Sequence, residues 1–233
     1  MCPIEAWLAE APDFCKRTGR PLVTLSYAQS LDGSLAARRG EPLTLSGEGA
    51  MRMTHALRAA HDAILVGIGT VLADDPRLTV RLVEGPQPQP IVLDSQLRMP
   101  LDSRLFEHPK GLWIAAGQNA SKERKTALCA KGAKIYEFPL DTDGRVDPIY
   151  LLKELPALGI HSLMVEGGTN VIASFLHHGL VDQVVITIAP RLVGGLHLEL
   201  QKRQEDWNFP LTDVGYARLG EDLIVYGRPS RGE

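Results

Sequence analysis

The sequence predicts an α/β protein with a mostly parallel central sheet, helices on both of its faces and an antiparallel hairpin at the C-terminal end. Three observations carry this. Short continuous apolar runs such as Leu22–Leu25, Ala63–Val66 and Leu163–Val165 fit strands buried on both faces. Between them lie stretches with helical spacing, opened by Ser or Asp and closed by Gly. Residues 213–228 read as two strands joined at Gly220-Glu221.

Taken in order, residues 4–14 form an amphipathic helix through Ile4, Trp7, Leu8 and Ala11. With the loop that follows, residues 1–20 make an N-terminal helical extension, and 21–229 make a single domain. The strand 22–25 runs into Tyr27–Gly33, where Asp32-Gly33 marks a turn, and 34–45 is irregular. Ser46 is the expected N-cap of a helix whose apolar stripe is Ala50, Met53, Leu57 and Ala60. Strand 63–66 is followed by a short helical turn that stops at Asp74-Asp75-Pro76, and Arg77–Arg81 is extended. After the linker 86–90 come strands 91–94 and 112–115, then a helix over 122–131 capped by Ser121 and closed by Gly132. Strand 134–138 precedes a helix from Asp147-Pro148 to near Gly159. Strand 163–165, a helix through Val171, Phe175 and Leu176 ending at Gly179, and strand 184–189 complete the series.

Lys plus Arg number 25 against 28 Asp plus Glu, a formal net charge of −3, so nothing in the balance points to nucleic acid or a membrane surface. Basic residues that matter are then expected to act singly, on one small anion. Cys2, Cys15 and Cys129 form neither a disulfide framework nor a paired metal motif, which points to a reducing, cytoplasmic compartment and to no zinc. Glu5, Glu10 and Asp13 argue against a signal peptide, and no apolar run reaches membrane-spanning length.

Two glycine turns follow buried strands: Gly67-Ile-Gly69-Thr70, and Gly167-Gly168-Thr169-Asn170. A chain that leaves a buried strand and enters a helix at once needs a residue without a Cβ. It then presents free N–H groups at the positive helix end, where phosphate binds. Each turn alone equally fits a bare structural connection; together they could grip both ends of a dinucleotide. Neither matches the longer glycine fingerprint of the doubly wound dehydrogenases, which disfavours that fold. Glu166 stands at the carboxyl end of a buried strand, where open α/β sheets bind ligands.

Arg58 and Arg81 are candidates for a phosphate clamp, since a guanidinium binds phosphate through two parallel hydrogen bonds; simple solvation is the alternative for Arg58. Of the adjacent acids, Asp75 fits a turn cap. Asp74 reads either as solvated or as a cleft carboxylate that stabilises positive charge on a substrate. His55, His61, His177 and His178 lack metal spacing and read as surface or helix-end residues. With no nucleophile elbow and no Cys–His pair, the set suits hydride transfer, in which a cofactor carries the reaction.

Several blocks resemble one family. They are Ala28-x-Ser30-Leu-Asp-Gly33, the long run from Arg58 through Asp62-Ala-Ile-Leu-Val-Gly67-x-Gly-Thr70 and Asp74-Asp-Pro76-x-Leu78-Thr-x-Arg81, and Ile91–Ser95. Val165-Glu-Gly-Gly168, Leu180-Val-Asp182 and Ala189–Gly195 continue the series. Together they resemble the reductase domain of riboflavin biosynthesis, the C-terminal half of the bacterial deaminase–reductase and its stand-alone counterparts. The resemblance implies a dihydrofolate-reductase-like sheet, a homodimer, NADPH as hydride donor and a phosphoribosylamino-pyrimidine as substrate. It further implies that Ala28, Thr44, Thr70, Asp74, Ser95 and the turn from Gly168 onward, with Thr169 and Asn170, contact the cofactor; the glycine-turn reading adds Gly67, Gly69 and Gly167. Pro42, Arg58, Leu78, Arg81 and Glu166 would line the substrate site. The chemistry of the residues adds a catalytic role for Asp74, whose carboxylate near the reacting carbon would stabilise the iminium as hydride arrives.

Three departures accompany the match. Only about 20 residues precede it, without the zinc deaminase motifs, so a separate deaminase is expected. Ser26 stands where many members have lysine. Pro42 and Thr44 replace a serine and a tryptophan; proline has no side-chain donor and threonine cannot stack as an indole does. These changes leave open a same-fold reductase of another heterocycle, such as dihydrofolate, and a nucleotide-binding paralogue without catalysis.

Overall fold

Side-chain alternation along the central strands sorts the core into two faces. In the computed structural model, which describes residues 3–41, 43–198 and 210–230, the strands form one nine-stranded sheet. The first half of the chain supplies helices α1 (Pro3–Ala9) and α2 (Ala11–Thr18), β1 (Leu22–Ser30), α3 (Glu48–Ala60), β2 (Ala63–Gly67), α4 (Ile68–Asp74), β3 (Gln89–Leu93) and β4 (Leu112–Gly117). The second half supplies α5 (Lys122–Ala130), β5 (Ala133–Phe138), α6 (Pro148–Glu154), β6 (Ser162–Gly167), α7 (Thr169–His177), β7 (Gln183–Ala189), β8 (Leu211–Leu219) and β9 (Asp222–Pro229). The strand order is β5-β4-β3-β2-β6-β1-β7-β9-β8. All pairs from β5 to β7 are parallel, and β9 joins β7 and β8 in antiparallel fashion. The expected fold class is the observed one.

On one face Leu65, Leu163 and Val165 pack with α6 and α7 through Leu151, Leu152, Ile172 and Phe175. On the other, Ile64, Val66 and Val92 pack with α4 and α5 through Ile68, Val71 and Leu128. Farther along this second face Met164 and Val185 meet Ile4, Leu8, Ala50 and Leu57, so the N-terminal helices cover the sheet instead of trailing from it.

The elements differ from expectation at definite points. The first helix is two, because Pro12 lacks an N–H and crowds the carbonyl four residues back; it is tolerated only in the first turn of α2. Strand β1 runs to Ser30, carried by seven register pairs with β7. Helix α3 is capped at Gly47 rather than Ser46, and Asp222 accepts the Gly47 N–H at 2.7 Å. Its buried face includes His55 and Arg58, whereas Ala60 is exposed. Residues 77–81 make no strand, and Leu78 has a left-handed φ of 52°. The helix expected to end at Gly159 tightens after Glu154 into a 3-10 turn, and a further 3-10 turn at Arg104–Glu107 had no sequence signal.

Candidate active site

Strands β2 and β6 are neighbours, yet their following helices leave to opposite faces: α4 packs with Ile64 and Val66, α7 with Leu65 and Val165. Such a parting at the carboxyl ends of the strands is where open α/β sheets bind ligands. Both glycine turns flank it. A Cβ on Gly67 would stand 2.7 Å from Val171 Cγ2, so this glycine lets α7 close onto β2. Gly168 caps α7 at φ 86°, and a Cβ there would lie 3.3 Å from Thr70 Oγ1, which brings the two turns into contact. At Gly69 and Gly167 a Cβ would meet nothing within 4 Å, leaving open backbone that an extended phosphate can approach. Thr169 and Asn170 open the first turn of α7.

Alternation along β6 sends Met164 and Glu166 to the face that α3 covers. There Arg58 Nε and Nη2 donate to the two Glu166 oxygens, each at 2.6 Å, and Nη1 donates to the Thr79 carbonyl at 3.1 Å. Burial disfavours the Arg58 charge, but Glu166 outweighs it and pushes the guanidinium pKa up. Arg58, expected at the phosphate of the substrate, places most of its donor set on Glu166 and the Thr79 carbonyl.

Arg81 differs. Its side chain has no hydrogen-bonded or ionic partner among the described residues. Burial, then the charges of Arg58, Arg77 and Arg104, press its pKa down, with Glu166 alone opposing. Arg104 is paired with Asp75 at 3.0 Å, whereas Arg81 has only the more distant Glu166 charge to set against its cationic neighbours.

The adjacent acids separate. Asp75, at φ 38°, closes α4 and accepts from Ser103 Oγ at 2.7 Å and from Arg104 N and Nε at 3.0 Å. Burial would raise its carboxyl, but these bonds hold it below the ordinary range. Asp74 is exposed, its carboxylate has no partner among the described residues, and partial burial raises its pKa.

Residues 21–225 match the family described as the RibD C-terminal domain. The chain belongs to that family. It is 42% identical over 214 residues to the 2,5-diamino-6-ribosylamino-4(3H)-pyrimidinone 5′-phosphate reductase of Methanothermobacter thermautotrophicus, covering 88% of this chain and 97% of that one. Its fold is similar to RibD of Acinetobacter baumannii, with TM-score 0.81, 28% identity, and 97% of this chain but 63% of that one covered. It is also similar to the riboflavin biosynthesis reductase Rib7 of Saccharomyces cerevisiae, with TM-score 0.71, 29% identity, and 95% and 100% covered.

As a RibD-type reductase domain, the protein places the other expected residues as follows. Ala28 lies on β1 opposite Thr187 of β7. Thr44 is exposed, its carbonyl accepting from Arg191 Nη1 at 3.3 Å. Ser95 follows β3, and its Oγ accepts the Val146 N–H at 2.9 Å. Leu78 is 2% exposed and packs with the core cluster of the face that α4 and α5 cover. Pro42 lies outside the described residues.

The sequence reading missed the buried histidines. His61 Nδ1 and Nε2 contact the Leu57 carbonyl at 2.6 Å and Thr24 Oγ1 at 2.8 Å. Desolvation lowers its pKa to about 4. His55 is wholly buried and accepts the Arg81 N–H at 3.0 Å. Its signal was present: it precedes Arg58 by three residues, on the same helix face. Among the described residues no helix is long and apolar enough to cross a membrane, and no cluster of three or more His, Cys, Asp or Glu side chains could hold a metal ion.

Proposed function

We propose that the protein is an NADPH-dependent oxidoreductase of riboflavin biosynthesis, reducing a phosphoribosylamino-pyrimidine to its ribitylamino product. The observation that carries this is the pair of abutting glycine turns at the carboxyl ends of the neighbouring strands β2 and β6 in a RibD-type reductase domain. When bound, NADPH supplies the hydride. The N–H groups at Gly168, Thr169 and Asn170 seat its pyrophosphate, helped by Gly67, Gly69 and Thr70, while Ala28, Thr44 and Ser95 border it. Arg81 holds the sugar phosphate. Glu166, kept rigid by Arg58, uses its remaining lone pairs for pyrimidine N–H groups. The open-chain imine takes hydride at C1′ and a proton at nitrogen, and the Asp74 carboxylate stabilises the positive charge of the protonated imine.

The likeness to the Methanothermobacter thermautotrophicus reductase supports a free small-molecule substrate, and a deaminase acting as a partner in the same pathway belongs to this proposal. We also propose a homodimer, in keeping with the family and with the open edge strand β8, whose Tyr216 is 69% exposed. A cytoplasmic location is in keeping with Cys15 and Cys129 as free thiols.

Mixing the protein with NADPH and 5-amino-6-(5-phosphoribosylamino)uracil, or its 2,5-diamino precursor, should consume the cofactor's near-ultraviolet absorbance. Asp74→Asn should cut the rate by about a hundredfold or more with NADPH binding retained. Folded protein that binds NADPH but reduces neither pyrimidine, or that turns over dihydrofolate faster, would reject the assignment.

A further inference from the structure

The segment that carries Arg81 has no secondary structure of its own. It begins at Leu78, in a left-handed conformation that side-chain-bearing residues rarely adopt. Side chains from elsewhere hold it. Val80 donates its N–H to Gln87 Oε1, and Gln87 Nε2 donates to the Val80 carbonyl, each at 2.8 Å. The Arg81 N–H donates to His55 Nδ1 at 3.0 Å.

His55 itself is 0% exposed, on the face of α3 turned towards this segment. Because Nδ1 accepts, the neutral ring carries its proton on Nε2. That N–H is buried with no hydrogen-bond partner among the described residues. Native proteins keep few such groups, because each costs stability that a plain apolar residue would not. Burial, then the charges of Arg58 and Arg81, hold the ring neutral, with its pKa lowered to about 4. A protonated ring would have no acceptor left for Arg81. The site therefore keeps an imidazole at a cost, and what the imidazole provides is one acceptor behind Arg81.

We infer that His55, together with Gln87, is a positioning residue: the two clamp the backbone of Val80 and Arg81, so that the unpaired Arg81 guanidinium is presented to the phosphate of the substrate. This rests on the reading of Arg81 as the anion anchor.

Calorimetric titration with ribose 5-phosphate, and separately with NADPH, tests both claims. Arg81→Ala comes first: unchanged ribose 5-phosphate affinity would overturn the anchor reading itself. Given a loss there, His55→Leu should weaken ribose 5-phosphate binding about tenfold, the size of one buried hydrogen bond, and Gln87→Leu, which removes two, by about tenfold or more. NADPH affinity should stay unchanged. His55→Asn, whose Oδ1 stands in for Nδ1, should recover the affinity to within about threefold. In steady state the leucine variants should raise KM for the pyrimidine more than they lower kcat. Should His55→Leu fail to fold, Gln87→Leu and His55→Asn carry the same expectations. The inference is overturned if folded leucine variants bind ribose 5-phosphate as the parent does, if asparagine does not restore binding, or if NADPH affinity falls in step.

Discussion

A guanidinium buried against a sheet persists only while its counter-charge stays beside it. Arg58 and Glu166 form such a pair, bidentate at 2.6 Å and largely shielded from water. Removing one partner should strand the other, so Arg58→Ala and Glu166→Ala should each cost about 3–5 kcal/mol of unfolding free energy. The double variant Arg58→Met/Glu166→Leu should lose much less than the sum; urea denaturation of the four proteins checks this. Asp74 behaves in the opposite way. Burial raises its folded pKa, so its contribution is favourable at low pH, where it is protonated, and turns into a cost as pH rises through the folded value. Asp74→Asn should therefore raise the thermal midpoint near neutral pH only slightly, since solvent screens an exposed carboxylate, while cutting turnover by about a hundredfold or more, a trade between stability and function.

At the scale of elements, two glycines in one turn have different reasons to be there. Gly67→Ala places a methyl 2.7 Å from Val171, so α7 must shift; about 1–3 kcal/mol of stability should be lost. Gly69 lies inside α4 with open space where a Cβ would go. Gly69→Ala should therefore hold or gain up to about 1 kcal/mol. If the dinucleotide lies along that turn, the same methyl should weaken NADPH binding by about tenfold or more, which fluorescence titration would detect. Equal stability losses in the two variants would contradict the assignment of Gly67 to packing. The strands and most helices were legible because their cues are local: apolar runs, the Ser121 and Asp147 caps, and the left-handed glycine at 159. The break before Pro12 has a local cue as well, since proline is tolerated only in the first turn of a helix.

For the whole molecule, the buried histidines set the acid limit. The pKa values of His55 and His61 are depressed from 6.5 to about 4, so the unfolded chain binds protons that the folded one refuses. The stability they contribute is full above 6.5 and drains as pH falls towards about 4, at up to about 1.4 kcal/mol per pH unit for each ring. His61→Gln should flatten that pH dependence by about half, measured as thermal midpoint against pH. For the proposed homodimer, light scattering should return twice the 25.5 kDa of the chain.

From the sequence alone came the fold class, nearly every strand, the two glycine turns and the family, because each is written in contiguous residues whose periodicity or turn chemistry is local. The tertiary structure alone decided the partners. Inserting β6 between β1 and β2 sets Glu166 opposite an arginine 108 positions away and brings the two turns into contact. It also leaves Arg81 unpaired while Arg58 is consumed. No spacing along a chain encodes which side chain faces which across a sheet; that follows from strand order and the face each helix covers. Arginines that look alike in sequence therefore take different parts in the folded protein.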